Sequence, residues 1–273
     1  MRIILASTAA LVLCGVLAGS AAPAPSTPQV PDFSGIYLRV GNLWFDEIID
    51  EEGGKPVQRL AVSGPNADDI YAGDFDNPIL QPWAREIVKR NADSEIALKH
   101  VYTADDSCWP SGTPQALNLI GPLRILQLKD RVVMIHERDH QVRWVWLNRG
   151  HTANPTPSWY GDSVGHYEGD TLVIDTIGQK AQSVVDAFGT PHTGQLHVVE
   201  RFQPFTTPFG KALFITVEVA DPGAFTAPWK GTVEFRQDKS VTEFDEVVCA
   251  ENNRTFGQGS TFGTIPEERT PPF

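Results

Sequence analysis

A serine flanked by glycines lies in the middle of the chain. Ser163 belongs to the sequence Gly-Asp-Ser-Val-Gly at 161–165, which matches the G-x-S-x-G nucleophile elbow of α/β-hydrolases. The elbow needs a strand before the serine and a helix after it, because that turn exposes the hydroxyl. Here a Pro-rich loop at 152–158 precedes the serine and a strand-like segment follows it. The flanks favour a glycine-bearing turn, and a serine hydrolase using Ser163 is kept as an alternative.

Two histidines lie in short, rigid loops that can hold a general base. His192 follows Pro191 just before a predicted strand, and His151 follows Arg149-Gly150. A histidine near its ordinary pKa suits proton transfer at neutral pH. Each ring can equally bond a backbone carbonyl and have no chemical role. We take His192 and His151 as the candidate catalytic residues.

No histidine spacing in the sequence is typical of a zinc site. His136 and His140 are four residues apart, a spacing that brings two ligands together on a helix but not in a strand–turn–strand segment. Loops carrying His151, His166 and His192 could converge at one end of a barrel, so a metalloenzyme remains an alternative. The sequence predicts no metal ligands and no cofactor.

A glutamate and an arginine stand on otherwise apolar faces of two consecutive predicted strands. Glu137 shares a face with Val133 and Ile135, and Arg143 shares a face with Val145. If both faces point inward, Glu137 and Arg143 meet inside a barrel. We predict that the pair orients a substrate, with a structural ion pair as the alternative.

Aromatic residues are numerous for a chain of 273 residues, with seven tryptophans and 14 phenylalanines. Aromatic side chains at the mouth of a barrel suit a flat, apolar or phenolic ligand. Trp146 and Trp159 are the candidate substrate-binding tryptophans, and the predicted partner is a small hydrophobic or aromatic molecule. Core packing explains at least half of the aromatic residues without a ligand.

The elements that must position these residues are mostly strands. Pro82 at a first helical position, followed by good helix formers, predicts one helix to about Lys99. Later segments alternate and are bounded by turn residues, which predicts strands at 123–128, 132–137, 142–147, 172–176, 196–202, 213–219, 232–236 and 242–248. The pattern indicates a mainly β fold, a single antiparallel, lipocalin-like barrel of about eight strands, with a β-sandwich as the alternative.

The N-terminus has the pattern of an exported protein. Arg2 is followed by an apolar run at 3–17 and then by small residues, with a cleavage site near Ala21 or Ala22. The run is too short to span a membrane. The predicted organisation is a signal peptide at 1–22, a Pro-rich leader at 23–31, a β-barrel domain at 32–252 and a loose C-terminal tail at 253–273.

Charge and cysteine content agree with a periplasmic or secreted protein. The net charge of −12 disfavours binding to nucleic acid or to anionic membranes, and no membrane insertion is expected after signal removal. Of the three cysteines, Cys108 and Cys249 lie outside the predicted signal peptide. Two cysteines in an oxidising compartment predict one disulfide. Two free buried thiols, or a catalytic thiol at Cys108, are the alternatives.

The sequence around Ser163 resembles a largely uncharacterised family of secreted bacterial proteins with the motif S-V-G-x-x-E-G-D-T-L-V-x-D-T. The likeness covers about 32–252 and includes Pro-Trp-Ala at 82–84, Cys-x-Pro-x-Gly-x-Pro at 108–114, Pro-His at 191–192, Glu-Arg-Phe at 200–202, Asp-Pro at 221–222, Pro-Trp at 228–229 and Val-Cys at 248–249. The chain departs from the family at His166 and Tyr167, where Arg and Trp are usual, and at 148–151. The resemblance implies export and a lipocalin-like barrel but no mechanism.

Together these features predict a periplasmic or secreted barrel that holds a small aromatic or hydrophobic molecule. A barrel of about eight strands encloses room for one such ligand. Metal-free acid–base catalysis, of the lyase, isomerase or hydratase type, would use His192 or His151. A non-catalytic ligand carrier or envelope interaction protein is the remaining alternative.

Overall fold

The chain folds into a closed β-barrel in a computed structural model that describes residues 30–49, 53–99 and 108–249. Its strands are β1 (Gly35–Val40), β2 (Asp46–Glu47), β3 (Leu123–Gln127), β4 (Arg131–His136), β5 (Val142–Leu147), β6 (Asp162–Glu168), β7 (Thr171–Ile177), β8 (His197–Thr207), β9 (Gly210–Ala220) and β10 (Trp229–Gln237). Nine strands follow in the order β1-β3-β4-β5-β6-β7-β8-β9-β10, and β10 pairs with β1 to close the barrel. The short β2 pairs with β10 only at Gly231 and Thr232. The predicted mainly β barrel is confirmed, with nine strands in the described part of the chain instead of about eight, and its closure excludes the sandwich.

One strand pair departs from the predicted antiparallel arrangement. The chain leaves β5 at Leu147 and returns to the start of that strand before β6 begins, so β5 and β6 run parallel. Their pairing extends only from Val145 to Leu147 on β5. Among the strands that the structure describes, the first half of β5 therefore has a neighbour on its β4 side alone. This gap in the wall of the barrel matters for the candidate site.

Two predictions, one for the segment 162–168 and one for the segment 242–248, were wrong. The segment 162–168 forms β6, although a turn was predicted there. The pattern failed to indicate a strand because the inward-facing residues Ser163 and Gly165 give no hydrophobic alternation. A Cβ at Gly165 would lie 2.9 Å from Val145 Cγ1, so the close approach of β5 and β6 requires glycine. The segment 242–248 makes only an isolated bridge at Val247, since β1 already occupies the edge of β10.

Side chains fill the inside of the barrel. The largest buried ones come from all around the wall and include Tyr37, Leu123, Met134, Leu172, Phe202, Ile215 and Phe235. A buried 3₁₀ turn at Gln115–Asn118 adds Leu117 to the same core. The room for a ligand that we expected inside the barrel is thus occupied by packed side chains, and a site must be sought in the wall or at its ends.

The predicted helix begins at Pro82 as expected and ends at Ile96, earlier than Lys99. Its buried residues are Ala84, Val88 and Ala92, whereas Trp83 is 41% exposed. Small residues on the buried face allow the helix to lie close against the core. None of the helices in the described part of the chain is long and apolar enough to cross a membrane.

The predicted disulfide is confirmed, and it joins Cys108 to Cys249 with their Cα atoms 5.5 Å apart. The bond connects the segment before the buried 3₁₀ turn to the segment after the last strand. The predicted signal peptide, the leader as far as residue 29 and the tail at 253–273 lie outside the described residues.

Candidate functional site

Four polar side chains on consecutive strands form a hydrogen-bonded network inside the barrel. Arg143 of β5 donates from Nη1 and Nη2 to the two carboxylate oxygens of Glu200 on β8, at 3.0 and 2.5 Å. Its Nε donates to Ser163 Oγ on β6 at 3.1 Å, and Nη2 also donates to Thr176 Oγ1 on β7 at 2.8 Å. All four residues are at most 2% exposed. The arginine links four strands of the wall from within.

The predicted pairing of Arg143 with Glu137 was wrong. Met134 lies opposite Arg143 and both face inward, so the alternation of β4 turns Glu137 away from the barrel interior. The Glu137 carboxylate instead accepts a hydrogen bond from the Asp245 amide at 3.1 Å. The partner of the arginine is Glu200, because strands that are distant in sequence meet across the barrel.

His136 belongs to the same inward face of β4 as Met134 and lies close enough to Arg143 to interact electrostatically with its positive charge. Its complete burial, together with that nearby positive charge, lowers the pKa of His136 to about 3. The imidazole is therefore neutral at ordinary pH. A neutral ring is the form that can lie beside a buried guanidinium without adding a second positive charge.

Ser163 has a structural environment that differs from a nucleophile elbow. It lies within the β6–β7 pairing, near the start of β6 and opposite Thr176, whose hydroxyl oxygen is 2.9 Å from its own. Its hydrogen bonds in the described structure are with Arg143, Thr176 and the Tyr160 carbonyl, and none is with a histidine. The prediction of a turn serine was also wrong, since Ser163 is part of β6.

A groove of about 670 Å³ lies on the outside of β5, beside the stretch of that strand that does not pair with β6. Its walls are Trp144 and Trp146 of β5 on one side and Trp159 and Tyr160 of the incoming connection on the other. Trp144 is 48% exposed. The groove thus brings together the predicted Trp146 and Trp159, and Arg143 lies directly behind it through its bond to Ser163.

The shape of the groove follows from the local sequence of β5. Val142, Trp144 and Trp146 alternate with Arg143 and therefore project outward from the barrel. Because β6 pairs with β5 only from Val145 onward, the loop at 158–162 stands away from the first half of β5. Aromatic residues of β5 and of the loop at 158–162 therefore line the same groove.

Cationic side chains lie against the tryptophan rings around the groove. The guanidinium carbon of Arg131 is 4.4 Å from the ring centre of Trp146, and that of Arg149 is 5.3 Å from the same ring. Lys180 Nζ lies 5.2 Å from the ring centre of Trp159. Such contacts hold the aromatic rings in place through attraction to their π faces.

Acidic partners balance the two arginines. Arg131 is bonded to Asp130 at 2.7 Å and Arg149 to Asp162 at 2.5 Å. Partial burial alone would raise the pKa of Asp162, but hydrogen bonds from the Thr152 amide and the Arg149 guanidinium lower it below its ordinary value. Asp162 is ionised, and the two arginines beside Trp146 are each balanced by a carboxylate.

His151 lies beside the groove, on the outer side of Asp162. Its Nε2–H donates to Asp175 Oδ1 at 2.9 Å, and its Nδ1 is 3.5 Å from Asp162 Oδ2. His197 Nε2–H donates to the same oxygen of Asp175 at 2.8 Å, and this bond raises the pKa of His197. The His151 side chain is 23% exposed, and its neighbour Asp162 is one of the residues that line the groove.

His192 lies elsewhere and is almost fully buried. Its Nδ1–H donates to the Thr193 carbonyl at 2.7 Å, which leaves Nε2 to accept from the Ser183 hydroxyl at 2.8 Å. Burial lowers the pKa of His192. The structure therefore places the two predicted bases in separate environments, and a catalytic role for either stays a prediction.

The histidines considered for a metal site are also apart. His166 bonds Glu168 on the exposed surface, at 3.0 Å, whereas His151 and His192 have the separate partners described above. Within residues 30–49, 53–99 and 108–249, no group of three or more His, Cys, Asp or Glu side chains is arranged to hold a metal ion.

Sequence reasoning missed Glu200 and Gln141. Glu200 alternates with Val198 and Phe202 on the inward face of β8, which is the same signal that pointed to Arg143. Gln141 precedes β5 in a tight connection, where alternation carries no information. It is 7% exposed and lines the floor of the groove.

No family model, no curated protein and no solved structure matches the chain. The resemblance to secreted bacterial proteins stays a prediction.

A buried carboxyl near His192 predicts a specific pH dependence of stability. Burial raises the pKa of Asp186 to about 6 from an ordinary value near 3.8, although its Oδ1 accepts from the Phe188 and Thr190 amides. The folded protein thus binds the proton more tightly, and stability falls as pH rises from 3.8 to 6. Asp186→Asn keeps Oδ1 but places an NH₂ group at the buried Oδ2 position, which has no hydrogen-bond partner in the described part of the chain. Because only the unmutated carboxyl titrates, the variant's stability relative to the unmutated protein should be about 2–3 kcal/mol higher at pH 7.5 than at pH 4.

Urea denaturation at pH 7.5 and pH 4 checks this prediction. At pH 4 the unmutated side chain is protonated in the fold, so Asp186→Asn should lack this advantage. The depressed pKa of His136 acts with the opposite sign, since acid favours the unfolded protein between pH 6.5 and 3, but this contribution is the same in both proteins. An equal effect at both pH values would contradict the prediction.

Proposed function

We propose that the protein binds a small aromatic molecule in the groove outside β5. The observation that carries the proposal is the set of facing aromatic walls, Trp144 and Trp146 against Trp159 and Tyr160, around about 670 Å³. Small-molecule sites are commonly concave, of about 300–1,000 Å³, and lined by aromatic side chains with a few polar groups. An exposed tryptophan such as Trp144 offers a flat apolar face to a ring.

The charges around the groove favour a neutral or anionic ligand over a cation. Arg131, Arg149 and Lys180 already lie against the tryptophan rings, and the carboxylates of Asp130 and Asp162 are bonded to the arginines. A cationic ligand would compete with those side chains for the same π faces.

The proposed compartment is the periplasm or the outside of the cell. It is supported by the signal-peptide pattern at 1–22 and agrees with the Cys108–Cys249 disulfide, a bond typical of oxidising compartments. With a net charge of −12, nucleic acid and membrane surfaces are not proposed as partners.

Turnover of the ligand, of the lyase or isomerase type, is a further part of the proposal and depends on His151. Of the two predicted bases, His151 adjoins the groove through Asp162, whereas His192 is 3% exposed and bonded to Ser183. A carrier without turnover uses the same groove. The hydrolase alternative has less support, because Ser163 bonds no histidine in the described structure.

Trp144→Ala tests the binding proposal. The change removes one aromatic wall while β5 keeps its pairing with β4, so we expect affinity for acetophenone to fall at least tenfold. The affinity is measured by following indole N–H resonances in a heteronuclear NMR titration, in which Trp146 and Trp159 should shift.

Trp83→Ala is the matched control, because Trp83 is exposed to a similar extent but lies on the helix. Its removal should leave the affinity unchanged. Equal losses in both variants, or shifts confined to tryptophans outside the groove, would rule out this site.

A further inference from the structure

A hydrogen-bond donor in the floor of the groove specifies the kind of aromatic molecule that fits. Gln141 is more than nine-tenths buried, yet it lines the groove between the two aromatic walls. Its side-chain oxygen and nitrogen have different surroundings. The side-chain oxygen already accepts hydrogen bonds, so the nitrogen is the group available to a ligand.

The orientation of the Gln141 amide is set by two donors. The Ser111 backbone N–H donates to Oε1 at 3.2 Å, and a backbone amide can only donate. The Tyr160 hydroxyl donates to the same oxygen at 2.5 Å. Oε1 must therefore point toward these two groups, and the NH₂ group points away from them.

The NH₂ group of Gln141 has no hydrogen-bond partner among the residues that the structure describes. The NH₂ group is not one of the fully buried unpaired atoms, so it reaches solvent and is accessible to a ligand. An acceptor brought by a ligand takes the place of water there, whereas an apolar ligand that covers the group leaves it unpaired. The aromatic residues on either side favour a ligand with an aromatic ring, and the NH₂ group favours a hydrogen-bond acceptor carried by that ligand.

We propose that the ligand is an aromatic molecule carrying a carbonyl or carboxylate oxygen, which accepts a hydrogen bond from Gln141 Nε2. This inference rests on the proposed binding of an aromatic molecule in the groove. Tyr160 has two functions in it, since its ring forms a wall and its hydroxyl holds the glutamine in the donating orientation.

Acetophenone and ethylbenzene form the matched pair of probes, because they share shape and ring and differ in one carbonyl oxygen. The unmutated protein should bind acetophenone about tenfold more tightly than ethylbenzene, since a site built to donate to an oxygen discriminates against a ligand without one. The side-chain NH₂ resonance of Gln141 should shift with acetophenone and stay in place with ethylbenzene.

Gln141→Glu is the matched variant, because a carboxylate still accepts from Ser111 and Tyr160 but presents an oxygen in place of the NH₂ group. It should remove the preference for acetophenone and keep ethylbenzene binding within about threefold. The probe comparison in the unmutated protein tests the inference even where the variant does not fold.

Equal affinity for both probes, with both bound in the groove, would overturn the inference that the ligand carries an oxygen acceptor for Gln141. It would leave the proposed binding of an aromatic molecule unaffected. If neither probe binds the unmutated protein, the proposed function itself fails. A preference for acetophenone that persists in Gln141→Glu also overturns the role of Gln141.

Discussion

Glu200→Gln is expected to lower the free energy of unfolding by about 3–5 kcal/mol, because it leaves the Arg143 guanidinium buried without a counter-charge. Both side chains are almost fully buried, and the carboxylate accepts two parallel hydrogen bonds from the arginine. The same arginine also holds Ser163 and Thr176, so an uncompensated charge disturbs four strands of the wall. Urea denaturation at pH 7.5 measures the loss.

Glu168→Gln is the matched control for this experiment. Glu168 bonds Arg201 at 2.7 Å between two of the same strands, β6 and β8, but both side chains are about half exposed. Solvent screens such a pair, so its loss should leave stability nearly unchanged. Similar effects of the two substitutions would contradict the assignment of Arg143–Glu200 as a buried ion pair.

A double substitution separates the buried charge from the packing. Replacing Arg143 by Met and Glu200 by Leu removes both charges, and hydrophobic replacements of buried ion pairs are often neutral or stabilising. The double variant should therefore be more stable than Glu200→Gln alone. A double variant as unstable as the single one would indicate that the shape of the network, rather than its charge balance, is essential.

Removal of the disulfide is expected to lower the free energy of unfolding by about 4–5 kcal/mol. Cys108 and Cys249 are 141 residues apart in sequence, and a loop of that length restricts the unfolded chain strongly in the chain-entropy model. Cys108→Ala combined with Cys249→Ala, compared with the unmutated protein in urea without reductant, measures the effect.

Dithiothreitol supplies the control for the disulfide. The unmutated protein should lose a similar amount of stability in the reductant, whereas the double alanine variant should be insensitive to it. A double variant as stable as the oxidised protein would show that the bond does not constrain the unfolded chain as expected.

Two residues of the groove could be predicted from the sequence, but the groove itself could not. Aromatic residues suit a flat ligand, which is why Trp146 and Trp159 are the predicted substrate-binding tryptophans. Both line the groove. Nothing in the local pattern shows that β5 and β6 run parallel or that their pairing begins at Val145. The gap between the walls is a product of that long-range pairing.

The hydrogen-bonded network around Arg143 could not be predicted from local sequence patterns either. Alternation places Arg143 with Val145 on one face and Glu137 with Ile135 on one face, but it does not say which face is inside. Glu200 comes from a strand three positions around the barrel, so its meeting with Arg143 depends on the order of the strands.

By itself, the sequence determined the mainly β class, the helix start at Pro82, most of the strands and the pairing of Cys108 with Cys249. These features are local, or follow from there being two cysteines outside the predicted signal peptide. Tertiary structure decided which faces point inward, which carboxylate meets the arginine, and where the wall of the barrel opens between aromatic rings. Those choices depend on contacts between residues far apart in the chain, which a local pattern of period two cannot specify.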